Sequence, residues 1–317
     1  VAIEPVIFGA DDRIEVYEVT DDALRDAVAR AVPALVRRGA VRIYSASGAV
    51  RLSGPALGPS HDLCDGEAHF DQPSVASCSA TLIDDDLVLT AGHCVEAVSC
   101  DDQRYVFGWF YESPGVLGAI DSSALFECAE VVAFEHSGSD DFAIVRLDRP
   151  APGPPLAMRL EPVAVDEVVS LAGYPLGLPM KVVEAGAVTG IISSSRFYAR
   201  LDAHPGNSGS GVFDTSLRVV GELTNGPVGP FVTVGACQRL RVIGEDTTRT
   251  ETINSVIPAV AQLCASGFPS ERLCGVVCGD GVCAAGESCE QDCATDAGPV
   301  VADAGVGVAR PDAAGPD

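Results

Sequence analysis

Three short segments carry the residue types that nucleophilic chemistry on an acyl group requires. Cys78-Ser79-Ala80-Thr81-Leu82-Ile83 is followed by Leu89-Thr90-Ala91-Gly92-His93-Cys94, which offers an imidazole. Asp140-Asp141-Phe142-Ala143-Ile144-Val145-Arg146-Leu147 opens an apolar run with two carboxylates. Gly206-Asn207-Ser208-Gly209-Ser210-Gly211-Val212-Phe213 sets a hydroxyl in a glycine-rich turn. Acyl transfer needs a hydroxyl, an imidazole to take its proton, and a carboxylate to fix the imidazole tautomer. It also needs backbone N–H groups aimed at the developing oxyanion, hence glycines and a tight turn at the nucleophile. Each segment alone has a plainer reading. A histidine beside a cysteine is usually structural, Gly-Asn-Ser-Gly is an ordinary turn, and Asp140 competes with Asp141 for the carboxylate role.

The elements that must position these residues are short strands. Leu87-Val88-Leu89, Val131-Val132-Ala133-Phe134, Ala143-Ile144-Val145, Val182-Val183 and Val219-Val220 alternate with Gly, Pro, Asp and Ser, the pattern of an all-β sandwich or barrel pair. Two stretches read as helices. Thr20-Asp21-Asp22 caps one whose Leu24, Ala27, Val28 and Ala31 share a face; Pro33 ends it and Ala34-Leu35-Val36 begins a strand. The other spans Ile253 to Leu263, with Ile253, Val256, Ile257, Val260 and Leu263 at helical spacing; Pro258 makes it kinked or shorter than it looks.

Composition narrows the function. The chain has 317 residues and a net charge of −25, which argues against nucleic-acid binding because phosphate neutralisation needs a basic face. The same charge favours a soluble monomer. Lys181 is the single lysine, so basic contacts are nearly all guanidinium. No apolar run is long enough to span a bilayer. Val1-Ala2-Ile3-Glu4 lacks the features of a signal peptide, so an exported protein is expected to have lost its signal already. Twelve cysteines, an even number, point to an oxidising compartment and up to six bridges.

Near residue 265 the chain changes character. Cys274 to Cys293 holds five cysteines in 20 residues, and 22 of the last 24 residues are Ala, Asp, Gly, Pro or Val. The expected organisation is a domain over 1–264, a Cys-rich disulfide module over 265–293 and a disordered tail over 294–317. Cys278, Cys283, Cys289 and Cys293 read as a two-bridge module, leaving Cys264 with Cys274 and Cys64 with Cys237; Cys100 and Cys128 bracket a Val106-Phe107-Gly108-Trp109 strand. Calcium held by Asp280, Glu287 and Asp292, or zinc held by the cysteines, is the rival reading of the module. The spacing lacks paired Cys-x2-Cys units and the acidic density is below that of an EF-hand loop, so disulfides and no metal are expected.

The three segments resemble the histidine, aspartate and serine motifs of trypsin-like serine proteases, in the same chain order, through Thr-Ala-Gly-His-Cys, Asp-hydrophobic-Ala and Gly-Asn-Ser-Gly-Ser. Val6-Ile7-Phe8-Gly9-Ala10-Asp11-Asp12-Arg13 is similar to the mature start of bacterial glutamyl-endopeptidase-like enzymes, and the resemblance covers roughly residues 6–264. It implies a chymotrypsin-like fold, two six-stranded antiparallel β-barrels with a C-terminal helix, besides the small disulfide-rich module. It implies His93 as general base, Asp141 as its orienting partner, Ser208 as nucleophile, and the N–H groups of Gly206 and Ser208 as the oxyanion hole. It further implies a Cys78–Cys94 bridge closing the histidine loop, and Thr224-Asn225-Gly226 as the edge that pairs with an extended substrate. His61, His69, His136 and His204 have no such context and are expected on the surface or in loops. The Cys-rich module resembles short Cys-Gly-Asp-Gly repeats appended to secreted bacterial proteins.

Departures from the pattern limit what carries over. Asn207 stands where many relatives place an aspartate that ion-pairs with a new N-terminus, so that switch is not implied. Asp202, six residues before Ser208, sits where trypsin-type enzymes bind substrate Arg or Lys; a hydrogen-bonded loop acid is the equal alternative. Ala203 and Leu223 replace the threonine and histidine of Glu-selecting enzymes, while Gly211 and Ala80 replace a common proline and glycine. The expected function is a secreted or cell-surface serine endopeptidase acting on peptide bonds through an acyl-enzyme, with no cofactor. A non-catalytic trypsin-like binding module, or a surface-attached adhesive protein acting through its Cys-rich segment, is the alternative.

Overall fold

The computed structural model describes residues 7–226, 229–244 and 250–275. The bridges expected within Cys278 to Cys293, the tail, and the start at Val6 lie outside the described residues. Two antiparallel sheets close into barrels. In the first, the strands run in the order Cys78–Ser79, Ala34–Arg37, Gln103–Val106, Leu125–Ser137, Asp140–Leu147, Leu87–Thr90 and Thr81–Leu82. Cys78–Ser79 and Thr81–Leu82 are one extended segment interrupted at Ala80, so the sheet returns to where it starts. This makes a six-stranded barrel. The second runs Val168–Gly173, Gly211–Asp214, Val219–Asn225, Glu251–Ser255, Arg196–Arg200 and Lys181–Ile191, and closes because Lys181–Ile191 also pairs with Val168–Gly173. Ile14–Glu15 adds to its rim against Lys181 and Val182.

Both helices start on a side-chain cap. Asp21 accepts the Ala23 and Leu24 N–H groups at the head of Asp22–Ala31, whose buried face is Leu24, Ala27, Val28 and Ala31. The second begins at Val256 rather than Ile253. Ile253 completes the strand Glu251–Ser255, Ser255 caps Val256–Ala265, and Pro258 falls in the first turn, where its missing N–H has no intrahelical acceptor to lose. The compact unit holding both barrels continues past residue 264 to Cys274, with Leu273 buried.

Between the barrels, the Trp109 and Tyr174 rings stack with centroids 5.9 Å apart, and the Tyr174 hydroxyl donates to the Val32 carbonyl at 2.8 Å. Both rings are fully buried. Lys181, the single lysine, is also buried; its ammonium bonds Glu15, Gln72 and the Pro179 carbonyl, pinning the Ile14–Glu15 strand to the second barrel. Burial lowers its pKa to about 8 against the opposing pull of Glu15.

The four cysteine pairs expected here are bonded: Cys64–Cys237, Cys78–Cys94, Cys100–Cys128 and Cys264–Cys274. Cys64 lies in the long connection between Arg37 and Cys78. That connection braces the Pro175–Gly177 turn, since the Ser74 hydroxyl donates to the Leu176 carbonyl and the Val75 N–H to the Gly177 carbonyl. A crosslink over a separation of 173 residues strongly restricts the unfolded chain. Urea denaturation of the Cys64→Ala/Cys237→Ala double variant is therefore expected to show a loss of about 2–5 kcal/mol. A loss below about 0.5 kcal/mol would mean that the bridge constrains nothing the fold does not already hold.

Candidate active site

His93 lies in the short helix Gly92–Glu96, directly after the strand Leu87–Thr90, and Asp141 lies in the strand Asp140–Leu147 that pairs with Leu87–Thr90. The pairing delivers the carboxylate under the imidazole. Asp141 Oδ2 is 2.7 Å from His93 Nδ1, and Asp141 Oδ1 accepts the His93 backbone N–H at 2.8 Å. The two-point contact fixes the ring's position and makes Nδ1 the proton-bearing nitrogen, leaving Nε2 as an acceptor. Burial works against the Asp141 charge, but the hydrogen bonds and proximity of His93 hold its carboxyl below the ordinary value. Asp140 does not compete: its carboxylate accepts from the Ser195 hydroxyl instead.

Ser208 comes from the second barrel, in the turn between Arg196–Arg200 and Gly211–Asp214. Its carbonyl accepts the Ser79 N–H at 2.8 Å and touches Cys94 Sγ at 3.7 Å, so the serine turn abuts the residue next to His93. Among the described residues its hydroxyl has no hydrogen-bond partner; such bonds often tighten only when substrate binds.

The turn also aims two donors. Asn207 C=O accepts the Ser210 N–H and Pro205 C=O accepts the Leu176 N–H. Because trans peptide units place C=O and N–H on opposite sides, the N–H groups of Ser208 and Gly206 point away from those partners. Neither N–H meets an acceptor among the described residues. Two glycines permit this shape. Gly206 has φ +99° and a Cβ there would lie 2.4 Å from the Tyr174 carbonyl; Gly209 has φ +81° and a Cβ would lie 2.3 Å from the Ser79 carbonyl.

Beside the turn, the strand Val219–Asn225 exchanges backbone bonds with it at Leu223, whose N–H donates to Ser210 C=O and whose C=O accepts from Gly209 N–H. Beyond Leu223 this edge, Thr224-Asn225-Gly226, has no further strand partner among the described residues; the opposite edge pairs with Glu251–Ser255. The Thr224 side chain points inward, to the Thr252 carbonyl and Asn254. Ala203 is likewise fully buried.

Asp202 is placed as a loop acid. It is 3% exposed, and its two oxygens accept the backbone N–H groups of Phe8 at 2.7 Å and Asp12 at 2.8 Å. Of the four remaining histidines, His204 lies in a loop and is buried rather than exposed. It is 0% exposed, with Nδ1 2.8 Å from the Arg13 guanidinium, and burial and the Arg13 charge hold its pKa well below the usual value. His69 is half-buried in a loop beside Glu15, and burial with Lys181 and Arg13 nearby lowers it to about 3. His136 is exposed and pairs with Glu96, 5.9 Å from the His93 ring; His61 packs on Phe231.

Two residues that matter here carry no motif signal. Ser79 donates its hydroxyl to Gly206 C=O, accepts the Tyr174 N–H on that hydroxyl, and gives its own N–H to Ser208 C=O. Glu222 is 1% exposed, both its oxygens lack partners among the described residues, and burial with the nearby Asp141 charge pushes its pKa well above normal.

Residues 78–221 match the family model of the trypsin-like peptidase domain. No curated protein matches the chain. A solved Glu endopeptidase in complex with MPD is similar at 16% identity and a TM-score of 0.51, over 84% of this chain and 100% of that one. An inactive mutant form of Rv3671c from M. tuberculosis is similar at 14% identity and a TM-score of 0.45, over 84% of this chain and 98% of that one. The chain has a trypsin-like serine protease fold, and its match to the peptidase-domain model is confined to residues 78–221.

Two predictions follow from the site. Ser79→Ala leaves Gly206 C=O and Tyr174 N–H unpaired in a buried seam, so it is expected to lower stability by about 1–3 kcal/mol in urea denaturation; an unchanged midpoint would remove Ser79 from this role. Burial pushes Asp202 up to about 6 despite the Phe8 and Asp12 N–H groups. Folded Asp202 therefore binds its proton more tightly than the unfolded chain, and the stability this contributes is lost as pH rises from about 4 through 6. Across that window the thermal midpoint of wild type is expected to fall relative to Asp202→Asn; a constant difference would contradict the assignment.

Proposed function

We propose that the protein is a secreted serine endopeptidase. Ser208 attacks the peptide carbonyl, His93 takes its proton through Nε2, and Asp141 holds the imidazole and stabilises the imidazolium. The N–H groups of Gly206 and Ser208 receive the oxyanion. Collapse of the tetrahedral adduct expels the amine, which takes the proton from His93; water then attacks the acyl-enzyme with His93 again as base. The observation that carries this reading is the bidentate approach of Asp141 to His93, with the serine turn and its two unengaged N–H groups against the same helix. The edge at Thr224-Asn225-Gly226 supports a role in holding an extended peptide.

Four disulfides among the described residues fit an oxidising compartment, and no helix among them is long and apolar enough to cross a membrane. Asp202, bonded at both oxygens to main chain, offers no spare carboxylate to a substrate Arg or Lys. Leu223, fully buried, offers no imidazole to a substrate Glu. The preference at the cleavage site is therefore set by other groups.

The test is covalent labelling with a fluorophosphonate probe. Wild type is expected to be labelled and Ser208→Ala not. Asp141→Asn is expected to reduce peptide turnover by about 10⁴-fold through the wrong imidazole tautomer while leaving the fold intact. An unlabelled wild type would select the non-catalytic binding module, and an equally labelled Ser208→Ala would remove Ser208 as the nucleophile.

A further inference from the structure

The segment leading into the serine turn is held from one side by the start of the described chain. Ile7–Phe8 pairs in parallel with Val242–Ile243, which fixes its direction. From there the Phe8 N–H reaches Asp202 Oδ1 and the Asp12 N–H reaches Oδ2. One residue on, the Arg13 guanidinium is buried, tied to Asp11 through two hydrogen bonds at 2.8 and 2.7 Å, and set against His204 Nδ1. Arginine only donates, so His204 Nδ1 must accept and the ring is neutral with its proton on Nε2. Asp202 and His204 bracket Ala203 directly before Pro205-Gly206. His204 C=O in turn accepts the Asn207 N–H, so the same residue that Arg13 holds shapes the turn carrying Ser208. The side chain of buried Asn207 meanwhile makes one hydrogen bond among the described residues, a local one in which its Oδ1 accepts from the Ser210 hydroxyl.

We propose that residues 7–13 form a clamp that positions the Gly206–Ser208 turn, acting through the Phe8 and Asp12 N–H groups on Asp202 and through Arg13 on His204. This rests on the peptidase reading. It supplies a route to an ordered oxyanion hole that uses main-chain donors and a guanidinium, and needs no carboxylate in the place of Asn207. Asp202 then belongs to the positioning machinery rather than to substrate recognition. Residues 7–13 act on the turn without touching substrate.

The test compares Asp12→Pro with Asp12→Ala in the full chain. Both remove an exposed carboxylate, and only the proline removes the N–H that Asp202 accepts. Losing an oxyanion donor lowers kcat about 10²–10³-fold, so a displaced turn is expected to lower kcat on a small ester by about tenfold or more with KM within about threefold. Hydrogen exchange gives a readout independent of catalysis: the amides of Asn207, Gly209 and Ser210 are expected to exchange faster in Asp12→Pro than in Asp12→Ala, while the strands of the first barrel do not change. Asp202→Asn, which keeps one acceptor oxygen and loses the other, is expected to show the same pattern and serves if Asp12→Pro does not fold. Equal kcat and equal exchange in the paired variants would overturn the clamp. A wild type inert to the fluorophosphonate probe would instead remove the peptidase reading, and the exchange data would still decide the clamp.

Discussion

The candidate site depends on a seam of hydrogen bonds that converge on Ser79. His93 and Asp141 belong to the first barrel and Ser208 to the second, so their spacing is only as good as the join between the barrels. Ser79, at the end of a first-barrel strand, gives its N–H to the Ser208 carbonyl and its hydroxyl to the Gly206 carbonyl, and receives the Tyr174 N–H. Its carbonyl accepts the Thr90 hydroxyl two residues before Gly92. One small buried residue, through its backbone and its hydroxyl together, therefore ties together the serine turn, the approach to His93 and the backbone of Tyr174, whose ring stacks on Trp109. Its amide hydrogen bond and its hydroxyl network are satisfied by partners fixed in both barrels, the condition under which a buried polar group specifies a geometry instead of weakening the core.

Around that seam the second barrel carries an unusual set of buried titratable groups. Asp202, His204 and Glu222 are each at most 3% exposed, and each resists the charge state it would have in water. Asp202 and His204 are held by the segment 7–13, while burial in the strand next to the serine turn disfavours the charge on Glu222. A net charge of −25 and a buried acid whose oxygens lack partners among the described residues are different matters: the first favours solubility, and the second raises the cost of carrying charge inside the fold.

Much of the molecule was legible in the sequence because the signals are local. Asp21 caps a helix whose apolar face follows at the right period; Pro33 stops it; the serine turn needs glycine where φ is positive. Of the four cysteine pairs, Cys78–Cys94 was legible through the family resemblance, while Cys100–Cys128, Cys264–Cys274 and Cys64–Cys237 were candidate pairings whose connectivity the sequence does not fix. What was not legible depends on distant contacts. Asp202 is six residues from the serine whether it binds substrate or main chain, and only its approach by Phe8 and Asp12, more than 180 residues earlier, separates the two. His204 is a loop histidine as expected, but its burial against Arg13, 191 residues earlier, left no local signal. Ile253 kept helical spacing yet belongs to a strand, because pairing with Phe197 and Leu223 on either side outweighs the local period. Ser79 gave no signal, since a serine after a cysteine has no fixed meaning until the serine turn lies against it.

The proposed reaction turns on acylation of Ser208 followed by attack of water. The most direct measurement is a stopped-flow experiment with an activated nitrophenyl ester, followed by acid quench and peptide mapping by mass spectrometry. A burst of about one leaving group per protein molecule is expected, with an acyl mass on the peptide that contains Ser208. Release of leaving group without a burst, together with no acyl mass on that peptide, would contradict it.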